Sequence, residues 1–309
     1  MDILDRQKGC FYGLAIGDAL GAAIEFSSPG TFVPVTEYRN GGPFNLEAGE
    51  WTDDTSMALA LADALTGEFL LKRQLDNYLK WYHSGKYSVN GICFDIGHTT
   101  RQALNMYLRT GLEINNNDRR WSGNGSIMRL APIPIKYYND KFLNVYASMS
   151  SETTHASREC VSACVYLANI LAGLIRGESK DTVLDPEWEH TKILGLDVNI
   201  RNIANGSFKT DKEIKGSGYV VESLEAALWA FWSGSSFRDV VLRAVNLGDD
   251  SDTTGAIAGQ LAGACYGFSN IPQELIDGLA KKDMIDRYLN PILEKAEEIR
   301  NEEHAGQKN

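Results

Sequence analysis

The chain has 309 residues, of which 43% are hydrophobic and 23% are charged, and its formal net charge is −11 with an isoelectric point near 5.0. This composition is typical of a soluble globular protein, and the length allows one large domain or two small ones. The acidic balance argues against a nucleic-acid-binding surface. An anionic substrate would need cations, backbone N–H groups or arginine side chains to hold it.

The first residues contain no basic segment followed by a long apolar core, so we expect no signal peptide. We also find no window that is apolar over the length needed to span a bilayer. The five cysteines lack CxxC spacing and are expected to be reduced thiols: Cys10, Cys93, Cys160, Cys164 and Cys265. The sequence therefore predicts a cytoplasmic protein that does not enter a membrane.

Helical periodicity extends from Asp2 to about Ile24, and glycine recurs there at every fourth position, at Gly9, Gly13, Gly17 and Gly21. A glycine inside a helix costs roughly 1 kcal/mol relative to alanine, so four on one face require a reason. Small residues allow two helix axes to approach closely. We expect this helix to contact the Gly- and Ala-rich stretch at residues 256–267. Two acids, Asp18 and Glu25, lie on it or just after it.

A long loop rich in glycine and proline, residues 27–50, leads to the sequence TDDT at residues 52–55. Long loops inside a compact domain are often functional. The helical pattern, rich in Ala and Leu, resumes at Thr55 and extends to Thr66. One Asp or Thr at a helix start is explained by capping, because its side chain accepts a backbone hydrogen bond and favours the positive end of the helix dipole.

The remaining chain also reads as helical. Helical patterns follow over residues 71–82, 99–110, 140–150, 156–176, 220–231 and 237–244. A polar loop is predicted over 115–125, a weak helical pattern over 181–215 and a charged helical tail from residue 273. We find no sustained alternation of apolar and polar residues, no break in composition and no linker. We predict one all-α domain spanning residues 1–309, with its core at about 5–295 and a frayed tail at 301–309.

The acidic helix start recurs near the end of the chain, where residues 247–263 read LGDDSDTTGAIAGQLAG. Three carboxylates, those of Asp249, Asp250 and Asp252, are too much charge for a cap unless a cation is bound. Two matching starts suggest two helix N-termini that converge on shared cations. Carboxylate and hydroxyl ligands favour magnesium or manganese over zinc. The predicted ligands are Thr52, Asp53, Asp54, Asp250, Asp252 and Thr253.

Two further acids are candidates for proton transfer. Asp95 lies in the sequence FDIG beside a predicted helix start, where an Asx-turn or a cap is the plain explanation. Glu25 lies at a helix end, where a solvated side chain is the plain explanation. Beside a pair of metal ions, either carboxyl group becomes a candidate acid or base for breaking a glycosidic bond.

Three loops offer candidate substrate contacts. The run GNGS at residues 123–126, followed by Met128, has glycines and backbone N–H groups suited to a phosphate. His155 opens another helix, and Tyr219 follows a Gly-Ser-Gly loop from which its ring would stack on a base or sugar. Considered separately, the GNGS run is explained as a turn, His155 as a helix cap and Tyr219 as a packing residue. Together they all lie where a loop enters a helix N-terminus.

These motifs, in order, resemble the ADP-ribosylglycohydrolase family. The ordered set is GLAIGDALGAAIEF, WTDDTSMALALADAL, FDIGHTT, GNGSIMRLAPI, TTHAS, GSGYVVESLEAALWAF and LGDDSDTTGAIAGQLAGA, and it covers most of the chain. The resemblance is strongest to the bacterial branch typified by ADP-ribosyl-[dinitrogen reductase] hydrolase. It implies a compact all-α bundle in which a cleft at converging helix N-termini holds two magnesium or manganese ions.

The resemblance also implies an activity, the hydrolysis of ADP-ribose from protein side chains. It makes the six acidic and threonine positions metal ligands, gives Asp95 the acid/base role and places Glu25 near the scissile bond. The implied ADP-ribose contacts are Asn124, Gly125, Ser126, Met128, His155 and Tyr219. The FDIG segment favours ADP-ribosyl-arginine as the substrate. The expected partners are an ADP-ribosylated protein and a cognate ADP-ribosyltransferase, with the chain itself a monomer.

Two other protein classes are alternatives to this interpretation. An isoprenoid synthase or a related diphosphate enzyme needs DDxxD on a helix, but residues 53–57 read DDTSM. A binding protein without turnover, such as an immunity factor that sequesters an ADP-ribosyltransferase toxin, stays open as an alternative. Such a role is also compatible with hydrolysis, which would reverse the toxin's modification.

Overall fold

The computed structural model describes residues 1–114, 121–209 and 213–306, and side chains as far as residue 302. The predicted loop that begins at residue 115 therefore lies partly outside the described residues. Within these ranges the chain forms α-helices joined by loops, which confirms the all-α prediction. The helices are α1 Ile3–Gly21, α2 Asp53–Ala64, α3 Leu71–Ser84, α4 His98–Thr110, α5 Pro132–Tyr137, α6 Leu143–Glu152, α7 Arg158–Arg176, α8 Lys180–Val183, α9 Glu189–Lys192, α10 Val198–Ala204, α11 Val220–Ser233, α12 Phe237–Val245, α13 Ser251–Tyr266, α14 Gln273–Gly278 and α15 Lys282–Gly306.

Helices α1 and α13 form the centre of the molecule, and their backbones are in contact from Gly9 to Gly21 of α1. Three of the four glycines of α1 face a glycine of α13, and a methyl group on either member would overlap the carbonyl oxygen of the other. The facing pairs are Gly9 with Gly263, Gly13 with Gly259, and Gly17 with Gly255. The contact predicted from the four-residue glycine spacing is therefore confirmed. It accounts for glycines in helix interiors, where alanine is normally favoured.

Several other helices pack on this central pair or on one another. α2 is buried on every side except at Asp63, α12 and α11 pack on α13, and α15 packs on α1, α2 and α5. α7 is apolar and long enough, by length and composition, to cross a membrane, which corrects the sequence-based statement that no such window exists. Because 89% of that window is buried inside the protein, α7 has the properties of a core helix.

Helix boundaries differ from the predictions where tertiary contacts decide them. α2 begins at Asp53, two positions before the predicted start at Thr55. The segment predicted as weakly helical contains three short helices, α8 to α10. The last helix continues through Gly306. Fraying of the final nine residues stays a prediction, with residues 307–309 outside the described part.

The glycine contact fixes where the acidic helix starts lie. Gly21, the last residue of α1, meets the backbone of Ser251 and Asp252 at the start of α13. A single turn of 3-10 helix, Ala22–Ile24, then leads directly to Glu25. The end of α1 and the beginning of α13 are thus held together, and the candidate site is built at this junction.

Candidate active site

The start of α2 is held by a side chain from another helix. Thr52 is the N-cap of α2, but its side chain makes no capping hydrogen bond. Asp18 of α1 accepts four hydrogen bonds instead, from the backbone N–H groups of Thr52 and Thr55 at 2.8 and 2.9 Å and from their hydroxyls at 2.9 and 2.6 Å. The carboxylates of Asp53 and Asp54 are consequently not needed as caps.

The start of α13 is held by its backbone. Asp250 is the N-cap and makes no side-chain capping bond, while its N–H donates to the Gly216 carbonyl at 2.8 Å. Asp249 has a positive φ of 53° and exchanges backbone hydrogen bonds with the loop after α1, at 2.7 Å to Phe26 N and 2.8 Å to Ser27 O. These bonds attach the loop that carries Glu25 to the second acidic motif.

The two acidic helix starts meet in the fold. The Thr52 hydroxyl lies 3.0 Å from Oδ2 of Asp252, 200 positions along the chain, and the Thr253 hydroxyl lies 3.3 Å from Oδ2 of Asp54. Asp53, Asp54 and Asp252 each offer an oxygen within 4.8 Å of the others. The predicted convergence therefore holds for this part of the chain.

The donor set at this junction fits a divalent cation. Oδ1 of Asp54 and Oδ1 of Asp252 are buried and have no hydrogen-bond partner. Burial is the main cause that raises the pKa values of Asp53, Asp54 and Asp252 well above the usual range, and neighbouring carboxylates add to it. Buried carboxylates without a partner are costly unless they bind a proton or a cation. Magnesium and manganese prefer such oxygen ligands.

Glu25 and Asp95 form a second acidic group beside the first. Together with Asp252 they place three carboxylate oxygens within 4.8 Å of one another. Glu25 is only 6% exposed and its Oε2 has no hydrogen-bond partner, so the explanation as a solvated helix end is wrong. Burial and the charges of Asp95 and Asp250 raise the pKa of Glu25 to about 10.

Asp95 is presented by a strained turn. Its backbone φ is +58°, which is uncommon outside glycine and marks a position fixed by its surroundings. Burial and the charge of Asp250 raise its pKa to about 8, while a hydrogen bond with Asp53 acts in the opposite direction. A carboxyl group with a pKa in this range is suited to holding or releasing a proton near neutral pH.

A cavity of about 250 Å³ opens over these acids. Four of the six predicted substrate contacts line it, namely Asn124, Gly125, Met128 and His155. Ser126 lies behind this wall with a buried hydroxyl, and Tyr219 is 37% exposed beside the lining residue Gly218. The full lining is Glu25, Phe26, Asp53, Asp95, Gly97, His98, Thr99, Thr100, Gly123, Asn124, Gly125, Met128, His155, Gly218, Asp250, Asp252 and Thr253.

Asn124 ties the glycine loop to the acidic junction. Its side-chain amide donates to Oδ2 of Asp250 at 2.8 Å and to the Ser223 hydroxyl at 2.9 Å, and its backbone N–H donates to the Gly218 carbonyl at 3.2 Å. Asn124 thus holds one Asp250 oxygen in place from the cavity side. Thr52 and Asp54 lie deeper, behind the ligands that line the cavity.

Asp18 is not among the site residues predicted from the sequence. A signal was available, because Asp18 is the sole charged residue between Lys8 and Glu25 in a run of small and apolar residues. A charged residue in such a buried stretch needs partners, which Asp18 finds at the start of α2. The lining residues from Gly97 to Thr100 were also not predicted as site residues, although they follow the FDIG turn.

Comparison with known proteins identifies the family to which this chain is similar. A family model described as ADP-ribosylglycohydrolase matches residues 1–303. The chain belongs to the ADP-ribosylglycohydrolase family. This confirms the family predicted from the ordered motifs.

Several relatives of this ADP-ribosylglycohydrolase are similar over nearly its whole length. "ADP-ribosylarginine hydrolase Tri1" of Serratia proteamaculans (strain 568) is 41% identical over 302 residues, covering 96% of this chain and 81% of the relative. "ADP-ribosyl-[dinitrogen reductase] glycohydrolase" of Rhodospirillum rubrum is 29% identical over 287 residues, 91% of each chain. A solved "ADP-ribosylglycohydrolase-related protein complex" is 39% identical with a TM-score of 0.85, covering 96% of this chain and 99% of that one.

Family membership gives the ADP-ribosylglycohydrolase its general chemistry. It is a hydrolase that removes ADP-ribose, and the family depends on metal ions. The clustered carboxylates at the starts of α2 and α13 are residues that can hold such ions. The individual roles predicted for the site residues stay predictions.

Proposed function

We propose that this protein hydrolyses the N-glycosidic bond between ADP-ribose and an arginine side chain, with the help of two magnesium or manganese ions. The observation that carries the proposal is the meeting of two acidic helix starts 200 positions apart, with the Thr52 hydroxyl 3.0 Å from the Asp252 carboxylate. The arginine specificity is supported by relatives at 41% and 42% identity that are named ADP-ribosylarginine hydrolase.

The ions would be held by the oxygen donors of the two helix starts, Thr52, Asp53, Asp54, Asp250, Asp252 and Thr253. When bound, they supply Lewis acidity that polarises ligand oxygens and lowers the pKa of water. The unpartnered oxygens Asp54 Oδ1 and Asp252 Oδ1 support this assignment. The carboxylates form two clusters of three residues, and Asp252 belongs to both. This arrangement supports a pair of ions rather than one.

Asp95 is the proposed acid and base. It gives its proton to the guanidinium nitrogen as the bond from this nitrogen to C1″ of the distal ribose breaks, and it recovers a proton from the water whose oxygen forms the new C1″–O bond. The raised pKa of Asp95, about 8, supports its holding a proton near neutral pH before the reaction. Positive charge on the ribose is stabilised by the surrounding carboxylates.

Glu25 is the competing candidate for this role. It lines the same cavity, and an oxygen of its carboxyl group lies within 4.8 Å of those of Asp95 and Asp252. We propose that Glu25 acts near the scissile bond, where it faces the departing side chain. Its neighbour Phe26 also lines the cavity and is 65% exposed, so we propose that its ring contacts the protein that carries the modified arginine.

ADP-ribose would be bound by Asn124, Gly125, Ser126, Met128, His155 and Tyr219. The cavity of about 250 Å³ is smaller than the ~300–1,000 Å³ that typically holds a drug-sized ligand. We therefore assign the enclosed part to the ribose and its phosphate. The adenosine end would extend over the rim, where the ring of Tyr219 is 37% exposed.

The test is release of ADP-ribose from an arginine-ADP-ribosylated protein, measured in chelator and after addition of magnesium or manganese. We expect turnover only with a divalent ion. The Asp95→Asn variant should lose at least about 100-fold in kcat, because general acid–base catalysis contributes roughly 10²–10⁴-fold. Its affinity for ADP-ribose, measured by calorimetry, should change little.

The matched variant is Glu25→Gln, which keeps the shape of the side chain. Normal turnover by Asp95→Asn together with an inactive Glu25→Gln would move the acid/base role to Glu25. Serine-linked ADP-ribose serves as the control substrate. Faster release from serine than from arginine would contradict the specificity, and ADP-ribose binding without release from either would favour the binding-protein alternative.

We further propose a cytoplasmic monomer whose partners are ADP-ribosylated proteins and a cognate ADP-ribosyltransferase. All five cysteines are unpaired, which is typical of proteins in a reducing compartment. A hydrolase of this kind would reverse the product of such a transferase. Co-expression with an arginine-specific transferase, followed by measurement of the remaining modification, tests this pairing, and unchanged modification would contradict it.

A further inference from the structure

Arg129 is a buried cation behind the cavity, and it is 1% exposed. Its guanidinium lies over the ring of Tyr78, with 4.6 Å between Cζ and the ring centroid. Nη1 donates to the Gly125 carbonyl at 2.7 Å, and Nη2 donates to the Thr154 hydroxyl at 2.5 Å. Arg129 is thus directed at the substrate loop and at Thr154, and it does not line the cavity itself.

Thr154 connects Arg129 to His155. The Thr154 hydroxyl oxygen lies 2.8 Å from Nδ1 of His155. Because a guanidinium can only donate, the hydroxyl oxygen is the acceptor in its bond with Arg129. Its own proton can then be given to Nδ1 of the imidazole. A histidine that accepts at Nδ1 and is neutral carries its proton on Nε2.

The position of His155 is fixed from its backbone and from its ring. Its N–H donates to the Ser151 carbonyl at 2.7 Å, and the Ser151 hydroxyl donates to its carbonyl at 2.7 Å. The ring packs against the glycine loop, where a methyl group on Gly125 would lie 2.8 Å from Cε1 and one on Gly123 would lie 3.5 Å from Nε2. Nε2 therefore faces the loop that lines the cavity.

Burial, together with the charge of Arg129, keeps the imidazole of His155 neutral. Burial is the larger cause and the nearby guanidinium the second, and together they lower the pKa of His155 to about 3. Among the described residues that line the cavity there is no lysine or arginine, and five are carboxylates. A neutral N–H donor at this position binds an oxygen of the ligand without forming an ion pair with the acids that hold the cations.

We propose that Thr154 and Arg129 are positioning residues that hold His155 in the neutral form with its proton on Nε2, from which it donates a hydrogen bond to an oxygen of bound ADP-ribose. The inference rests on the proposed function for the identity of the ligand. The proton position, by contrast, is a property of the ligand-free protein and is tested separately.

The first measurement is the tautomer of His155 in the full chain, from the nitrogen resonances of ¹⁵N-histidine at pH 7. The chain has five histidines, so a His155→Gln spectrum assigns the signal. We expect wild type to show Nε2 protonated and Nδ1 not. The Thr154→Val variant, which removes the hydroxyl and keeps the shape, should show the other tautomer or a mixture. Thr154→Ser should restore the wild-type pattern.

The second measurement is the affinity for ADP-ribose by calorimetry. Thr154→Val should bind about 10-fold more weakly, because a lost hydrogen bond of roughly 1.4 kcal/mol is a factor of ten. Thr154→Ser should bind within about twofold of wild type. The matched control is Thr153→Val, since the Thr153 hydroxyl is also buried and donates to the Ser150 carbonyl at 2.7 Å. This control should lose thermal stability but not affinity.

The outcomes separate the two proposals. A wild-type His155 with its proton on Nδ1, or a Thr154→Val affinity equal to that of Thr153→Val, overturns the positioning inference and leaves the hydrolase function intact. Absence of any ADP-ribose binding by wild type overturns the proposed function and the ligand contact together. In that case the nitrogen resonances still report whether Thr154 fixes the tautomer.

Discussion

Asp18 takes the place of a local cap at the start of α2. Four hydrogen bonds from Thr52 and Thr55 end on its carboxylate, and the residue is fully buried. Burial raises its pKa to about 6, and these hydrogen bonds act in the opposite direction. Because Thr52, Asp53 and Asp54 are consecutive, a single carboxylate on α1 determines the position of half the predicted metal ligands.

Replacing Asp18 with asparagine should weaken metal binding. An amide has one acceptor oxygen, and its NH₂ group would face donors of Thr55, so at least one buried N–H group loses its partner. We expect the free energy of unfolding to fall by roughly 1–3 kcal/mol. We expect the dissociation constant for manganese, measured by calorimetry, to rise about 10-fold or more, equivalent to roughly 1.4 kcal/mol.

The control is Asp63→Asn on the same helix. Asp63 accepts hydrogen bonds from Tyr87 and Lys86 at 2.6 and 3.1 Å, far from the start of α2. This variant should lose stability while manganese affinity stays within about twofold of wild type. Equal losses of affinity in both variants would mean that Asp18 acts only on global stability.

The roles of some residues can be predicted from the sequence, whereas the roles of others cannot. The acids at residues 52–54 and 250–252 stand out because their number exceeds what capping needs. Asp18 acts on residues 34 and 37 positions away, and the Arg129–Thr154 bond spans 25 positions. Such partners are determined by how the helices pack, and a local sequence pattern does not carry this information.

The contact between helices α1 and α13 could be predicted from the spacing of glycines in the sequence. Glycine at every fourth position of α1 predicts a close helix contact, and α13 supplies the facing glycines. The boundary of α2 was less predictable, since its start is decided by Asp18 rather than by its own residues. The sequence thus indicates which helices meet, but the residue at which α2 begins depends on a tertiary hydrogen bond.

Alanine substitutions should have different effects at the end of this contact and in its middle. A methyl group on Gly21 would overlap the backbone of Asp252, so Gly21→Ala should displace a predicted metal ligand. We expect a loss of stability of about 1–3 kcal/mol from overpacking. We also expect manganese affinity, measured by calorimetry, to fall at least about 10-fold, or roughly 1.4 kcal/mol.

Gly13→Ala provides the comparison, because its methyl group would overlap Gly259 in the middle of the same helix pair. It should lose as much stability as Gly21→Ala while retaining manganese affinity within about threefold of wild type. If affinity falls in parallel with stability in both variants, the glycine contact does not position the site.

At the scale of the whole molecule, the acidic junction couples stability to pH and to metal ions. The pKa values of Asp95 and Glu25 are raised to about 8 and about 10, and those of Asp53, Asp54 and Asp252 are also raised. The folded protein without metal therefore binds more protons than the unfolded chain. Stability must then decrease as pH rises through this range.

We expect the melting temperature in chelator to fall steadily between pH 5 and pH 9. Excess manganese should remove most of this fall, because the cation binds the deprotonated carboxylates and releases their protons. The difference between metal-loaded and chelated protein should consequently grow with pH. Thermal unfolding at matched ionic strength measures it, and a melting temperature that rises with pH in chelator would contradict the assignment.

The fold class and the family were predictable from the whole sequence, since the ordered motifs and the helical periodicity agree. The three-dimensional order of the helices was predictable only where the glycines specify a partner. The cavity wall from Gly97 to Thr100 was not foreseen as part of the site, because its residue types are ordinary and its position depends on the strained turn at Asp95.

The pairing of α1 with α13 has a consequence for biosynthesis. Since α13 ends at Tyr266, a ribosome must translate more than four-fifths of the 309 codons before the first helix can meet its partner. Until then the residues of α1 that face it have no neighbour to cover them. The nascent chain should therefore be inactive until late in translation. A chain truncated before α13 could not assemble its catalytic centre.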